Sequence, residues 1–414
     1  MLCLLTKVIK KDYLYDMKRV NLFYLLTIFL LFASCERCII PGGGYEHNLL
    51  IYIAADNNLS EVARENMNDI ITHASVPAGH ALVVFTDIKN QGAFLIGVST
   101  RNKVIKLDTL KRYGAVNSML PEVMGQAIED AREEYPAKTY GMLFWSHGTG
   151  WLPRGLYGEV PQYPVKPTSV ASPFEYDIYD PAYPRTKTFG QDGASEMEIP
   201  DMVTVLQKYH HEYICFDACL MADMQTYYQL REVCDYIMGS PAEIIDTGYP
   251  YNKLTSVLFP YEGLSSLTAL CDAYFEKYNS QTGYNRSGTI SLVKTEHIQS
   301  LAQAFRTLIR NGGIDPEDVD RTGLQTYDRL TEHVFWDIDQ MALMLGNTSD
   351  YAHFRTELDK TVIYKKTTEN FITIPITHFS GLAAYLPTSA LPRTQTAFRT
   401  TSWNRFLEWL PLSD

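Results

Sequence analysis

Short, dense apolar runs alternate along this chain with stretches whose apolar positions recur at helical spacing. "NLLIYIAADNNL" (48–59) is an apolar run that stops at Asp56-Asn57-Asn58, residues suited to a turn and a helix start. "SEVARENMNDIITHA" follows with helical periodicity, and "HALVVFTD" (80–87) is a second strand-like run. "SMLPEVMGQAIEDAREEYP" (118–136) predicts a helix that leads into a further buried strand in "YGMLFW" (140–145). The rhythm resumes with a helix in "IPDMVTVLQKYHHEY", which has Pro200 near its start. Strands then follow in "YICF" (213–216), "CDYIMGS" (234–240) and "GTISLVKT" (288–295), with helical stretches around 296–311 and 339–346 and a late strand in "GLAAYLP" (381–387). Strands alternating with helices predict βαβ units, so the expected class is α/β with a mostly parallel central sheet.

Residues 151–190 interrupt the pattern. The segment holds seven prolines and five tyrosines with little periodicity, too long for an ordinary loop. It separates two apolar runs that end on chemically capable residues. The first stops at Ser146-His147-Gly148 and the second runs through Asp217 to Cys219. Open parallel sheets place their ligands at the carboxyl ends of the strands, where both residues are expected. A thiol is a weak nucleophile until an imidazole takes or stabilises its proton. Gly148, without a side chain, can turn its N–H toward a developing oxyanion. The helix expected after Cys219, "LMADMQTYYQL", would add its N-terminal dipole. Residue type alone leaves plainer readings open, a polar strand end for His147 and a core thiol for Cys219.

Composition narrows the function. A hydrophobic content of 46% with 20% charged residues is ample for a globular core. The net charge of −12, with no basic stripe, excludes nucleic acid as the expected partner. From Met17, "MKRVNLFYLLTIFLLFASC" has the charged, apolar and small-residue layout of an export signal, too short for a comfortable membrane span. Its end resembles a bacterial lipobox, with Phe32 in place of the usual aliphatic residue, which makes Cys35 the expected lipidation site. Residues 1–34 are then a leader whose true start is Met17, and 35–47 a lipid-anchored tether. Loss of that leader's five basic and two acidic residues takes the charge from −12 to −15. The expected location is the bacterial envelope, on the outer membrane or cell surface. Of the seven cysteines, Cys38, Cys215, Cys219, Cys234 and Cys271 then remain, an odd number with no disulfide-scaffold spacing.

The chain resembles the clostripain-like cysteine peptidases, relatives of caspases, gingipains and legumains. The resemblance rests on "YIAADNNL" (52–59), "SHGTGW" (146–151), "FGQDG" (189–193), "DACLM" (217–221) and "GLAAYLP", in the family's order. It implies a caspase-like α/β/α sandwich with a C-terminal extension: a catalytic core over 48–262, insertion 151–190 included, and the rest of the peptidase domain over 263–414. It also implies Cys219 as nucleophile, His147 as general acid and base, and the N–H groups of Gly148 and Cys219 as oxyanion donors. Asp217 matches the family's acid at the base of the pocket that selects Arg or Lys before the cut bond, a cation that a carboxylate can hold bidentately. Asp246, in "SPAEIIDTGYPY", is a looser match, equally a turn residue. Members of the family are cut during maturation, so Arg154, Lys166, Arg185 and Lys187 are candidate self-cleavage points, with an uncut loop the alternative. The expected function is a thioester-forming endopeptidase cutting after Arg or Lys, monomeric and needing no cofactor. The alternatives are a non-catalytic surface lipoprotein that binds peptide or glycan, and a peptidase with another pocket preference.

Other clusters carry less. His210-His211 are expected at the end of an exposed helix without metal partners, and Cys215 with Cys219 lacks the second pair of a zinc site. Asp337 and Asp339 in "WDIDQM" look like a calcium fragment but lack the loop glycine and distal Glu, and are expected to start a helix. Family members can bind calcium; no site for it is identified in this sequence.

Overall fold

The protein's structure, a computed structural model, describes residues 44–157 and 196–412. The leader, Cys35, Cys38, most of the tether, "FGQDG", Lys166, Arg185 and Lys187 lie outside the described residues. The first strand begins at Tyr45, so the end of the expected tether belongs to the sheet.

The apolar runs form the strands they predict: β1 (Tyr45–Ala55), β2 (His80–Ile88), β5 (Ala137–Trp145), β6 (His211–Asp217), β7 (Cys234–Gly239) and β8 (Thr289–Lys294). Two strands join them between β2 and β5, β3 (Gly92–Arg101) and β4 (Val104–Gly114). Later strands include the short β9 (Trp336–Asp337), paired with Ala383–Ala384 of the late run, and β10 (Val362–Thr367). Apart from β9, these strands make one nine-stranded sheet in the order β10-β8-β7-β6-β5-β1-β2-β3-β4. Its centre, β7-β6-β5-β1-β2, is parallel. An antiparallel pair closes each edge, β3 with β4 on one side and β8 with β10 on the other. The expected C-terminal extension therefore supplies two strands of the same sheet. The chain leaves β1 first toward β2 and later toward β5, which makes the end of β1 beside β5 a topological switch point.

Helices cover both faces. Helices α1 (Ser60–His73), α5 (Tyr251–Leu258) and α6 (Leu264–Asn279) pack on one another over one face. Helices α2 (Pro121–Glu134), α3 (Ile199–Leu206) and α4 (Met224–Leu230) form a connected layer over the other. Strand periodicity decides which side chain meets which layer. Trp145 reaches Asn66 of α1 with its indole N–H at 2.8 Å. Its neighbour Phe144 turns to the opposite face and stacks on Phe216 with centroids 5.5 Å apart. The result is the α/β/α sandwich expected from the sequence. Among the described residues no helix is long and apolar enough to cross a membrane.

Candidate active site

Strands β5 and β6 pair in register, Gly141 opposite Tyr213 through Trp145 opposite Asp217. His147 and Cys219 each lie two residues beyond that last pair, on neighbouring strands about 4.8 Å apart. The fold thus joins the imidazole and the thiol at one sheet edge, across 72 residues of sequence (219 − 147).

Glycine is required between them by close approach. A Cβ on Gly148 would sit 2.5 Å from the Cys219 carbonyl oxygen, 2.9 Å from Ala218 Cβ and 3.0 Å from the Cys219 nitrogen. The two backbone segments whose N–H groups are the expected oxyanion donors are therefore in contact. Gly150, at φ +58°, turns the same loop away, and a Cβ there would strike the Leu220 carbonyl oxygen at 2.6 Å. Beneath this turn lies the buried Asp223, the N-cap of α4, which accepts from Thr226 N–H at 2.9 Å. Burial pushes its carboxyl up to about 7, against the hydrogen bonds from Thr226, Gln225 and Trp151.

Asn58 was not singled out in the sequence as a site residue. It ends the switch-point loop after β1, and its Oδ1 lies 2.7 Å from His147 Nε2. With Nε2–H donating to that oxygen, Nδ1 is the other ring nitrogen. The only hint in the sequence was the Asp-Asn-Asn run at a strand end.

Cys219 is fully buried. Its Sγ accepts from Ile244 N–H at 3.0 Å and lies 3.5 Å from the Ile244 carbonyl oxygen. The segment carrying Ile244 is tied alongside by Leu220 N–H to Ala242 O at 2.9 Å and Ala222 N–H to Ser240 O at 3.0 Å. Those bonds hold Leu220 at φ +62°, a left-handed conformation that costs a leucine about 1–2 kcal/mol. Next to Ile244, the buried Glu243 grips Arg329 with two hydrogen bonds, at 3.1 and 2.5 Å. This bidentate pair anchors the segment to the distant loop after α7 (Ile298–Gly312). The helix dipole expected at the thiol is not found there. Helix α4 starts only at Met224, and Asp223 caps its first turn.

Asp217 is wholly buried. It accepts from the Tyr251 hydroxyl at 2.7 Å and from Tyr249 N–H at 3.3 Å. Both donors belong to the α1–α5 face, the side to which Trp145 also points. Asp246 is half-buried in a turn closed by Gly248 N–H to Ile245 O at 2.9 Å. The ammonium of Lys277 clamps the following carbonyls, Thr247 O at 2.9 Å and Gly248 O at 2.8 Å. Burial chiefly raises the Tyr278 hydroxyl, and Asp217 and Asp246 both add to that shift, so the two acids act on one region.

The remaining expectations divide. His211 is buried in β6, not on an exposed helix, and burial with the nearby Arg132 lowers its imidazole to about 3. His210 is exposed and lies 3.2 Å from Asp235. Cys215, Cys219, Cys234 and Cys271 are all buried thiols. Asp337 does start a helix, α8 (Ile338–Leu345), capping Asp339 N–H at 3.0 Å and Gln340 N–H at 3.1 Å. Asp337, Asp339 and His378 are close enough to share a cation. Their carboxylates already hold the Tyr327 hydroxyl, Ser380 N–H and Arg355, so the cluster works as a brace between loops.

A parallel-centred α/β/α sandwich with imidazole and thiol at adjacent strand ends defines the caspase-like cysteine peptidases. The clostripain-family profile matches residues 51–158 and 176–395, and the chain belongs to that family. Two solved structures are similar over nearly their whole length. One is an inactive zymogen C11 protease from Parabacteroides distasonis, 28% identical with a TM-score of 0.74, covering 89% of this chain and 99% of its own. The other is a secreted C11 cysteine protease from Bacteroides thetaiotaomicron bound to an irreversible peptide inhibitor, 26% identical with a TM-score of 0.72, covering 88% and 100%. None of the curated proteins matches. The chain is thus a cysteine peptidase of the clostripain family.

Proposed function

We propose that this peptidase cuts after Arg, and less readily after Lys, through a Cys219–His147 dyad. Cys219 Sγ gives its proton to His147 and attacks the carbonyl carbon. The oxyanion meets the N–H groups of Gly148 and Cys219. Collapse expels the amine, which takes the proton from His147 and leaves a thioester on Cys219. Water, deprotonated by His147, then attacks the thioester and releases the acid. Thiol, imidazole and backbone donors suffice for this sequence, and no cofactor enters it. The carrying observation is the contact of Gly148 with the Cys219 backbone at the ends of two strands in register.

The buried Asp217 supports the Arg preference. A desolvated carboxylate favours a cation, and a guanidinium can engage it while the Tyr251 hydroxyl holds its other side. Asp246 is the second acid of that pocket. A fluorogenic peptide panel varying only the residue before the cut tests this reading. Arg above Lys, with neutral residues far below, is expected; equal rates across the panel would overturn it.

Processing within 151–190 belongs to the same proposal. Arg154 is exposed there, its guanidinium on the Glu196 carbonyl oxygen at 2.7 Å. Export and lipidation at Cys35 complete the reading, which the secreted relative from Bacteroides thetaiotaomicron supports as to export.

A further inference from the structure

A cavity of about 80 Å³ opens beneath the Ser146–Thr149 turn, and His147 and Gly148 form part of its wall. It lies on the opposite side of the sheet from Asp217. Phe144 and Phe216, which line it, occupy the alternate strand positions to Trp145 and Asp217. Five thioethers share its lining, Met119, Met124, Met197, Met202 and Met221. Among them Met124 comes from α2 and Met202 from α3. Nothing in the dyad's chemistry uses this space.

We infer that this cavity is the subsite for an apolar, flexible side chain, Leu or Met, on the residue that follows the cut bond. The inference rests on the proposed role of His147. The imidazole that protonates the departing nitrogen must lie against the leaving half of the substrate, and the cavity is walled by that same histidine. Asp217, on the other face, takes the side chain of the acyl half. The two side chains flanking the cut bond thus enter pockets on opposite sides of the sheet edge.

The lining selects the chemistry. Thioethers adapt their shape to an entering side chain and offer it no strong hydrogen bond. The volume suits an aliphatic group, since an apolar cavity of about 150 Å³ is what holds a benzene ring. Glu196 is the carboxylate among the described lining residues, and it already accepts from Gly155 N–H at 3.0 Å. An acidic substrate side chain would meet that carboxylate, whose charge the nearby Arg154 offsets only in part.

The test compares quenched peptides of one sequence cut after Arg, with Leu, Met, Gly or Asp as the next residue. kcat/KM for Leu and Met should exceed that for Gly by roughly 10- to 200-fold, the usual discrimination of an apolar pocket, with Asp lowest. Met202→Trp, at the half-buried rim, fills the space and should shrink the Leu-to-Gly ratio toward one. A readout free of turnover uses the full chain with Cys219→Ala and 13C-methyl methionine. The Leu peptide should shift the signals of Met119, Met124, Met197, Met202 or Met221, and the Gly peptide should not. A peptidyl-Arg alkylating reagent with nothing beyond its Arg separates the two levels of reading. If it labels Cys219 while Leu and Gly peptides are cut equally, the subsite is wrong and the Arg reading survives. If it fails to label Cys219, the dyad reading falls and this inference falls with it.

Discussion

His147 and Cys219 hold the same register position on adjacent parallel strands, each two residues past the pair Trp145–Asp217. Sheet geometry thereby places the thiol and the imidazole of the proposed dyad at neighbouring strand ends. Cys219→Ala should abolish hydrolysis, because among the described residues no other thiol shares that edge. Thermal unfolding should move little, since the change removes one sulfur from a site tied by backbone hydrogen bonds. A fluorogenic assay and a melting curve check both; retained turnover would sink the dyad.

Asn58 holds His147 Nε2 at 2.7 Å. Asn58→Ala should lower kcat by about 10- to 100-fold with little change in KM, because the imidazole loses its orientation and not its place. Asn58→Asp should restore orientation but stabilise the imidazolium, moving the acid limb of the pH–rate profile upward. A shift of that limb is a signature that general loss of stability would not produce.

The strand ends that carry the chemistry were legible because buried parallel strands are dense apolar runs, and the residue that breaks each run marks the edge. β4 was not legible. Lys106, Asp108, Lys111 and Arg112 cover this edge strand, and such charge, which protects an edge from pairing with other chains, reads as loop. His211 was misplaced for a related reason. Its burial comes from packing in β6, and a polar residue beside His210 gives no local sign of it. The Asn58–His147 and Cys219–Ile244 contacts span 89 and 25 residues. Such pairings exist only once the topology is known.

Asp223 predicts a pH dependence of stability. Its folded value of about 7 stands above the ordinary 3.8, because burial penalises the charge. Between those values the folded state holds the proton more firmly than the unfolded state. Stability therefore falls as pH rises through that window and levels off above it. The contribution is on the order of 4 kcal/mol at most, about three units at 1.4 kcal/mol each. Asp223→Asn keeps a capping side chain and should flatten that part of the curve. Denaturant melts of both proteins at pH 5 and pH 7.5 give the difference; parallel curves would exclude Asp223 as the source.

Cys35→Ala should stop lipid attachment and release the peptidase from the membrane fraction. A clickable fatty acid fed to producing cells should mark the wild-type band. Labelling that persists in the variant would place the modification elsewhere.

Asp217 and Tyr251 make the sharpest test of specificity. The carboxylate is fully buried, with the Tyr251 hydroxyl on one oxygen at 2.7 Å. Asp217→Asn keeps the shape and deletes the charge. Stranding a desolvated guanidinium in this way costs about 2–5 kcal/mol. That is roughly a thirty-fold to several-thousand-fold fall in kcat/KM on Arg substrates. Lys substrates start lower and should also fall, since an ammonium lacks the two-pronged contact. Gln substrates should change least. Tyr251→Phe leaves the charge and removes one donor, so it should cost Arg substrates about 10- to 150-fold, in line with one hydrogen bond to a charged group. Matched Arg, Lys and Gln peptides on the three proteins give the answer. Equal losses on all three would make Asp217 a support of the strand end and not of the pocket. An unchanged Arg preference would pass the role to Asp246, on the neighbouring turn clamped by Lys277.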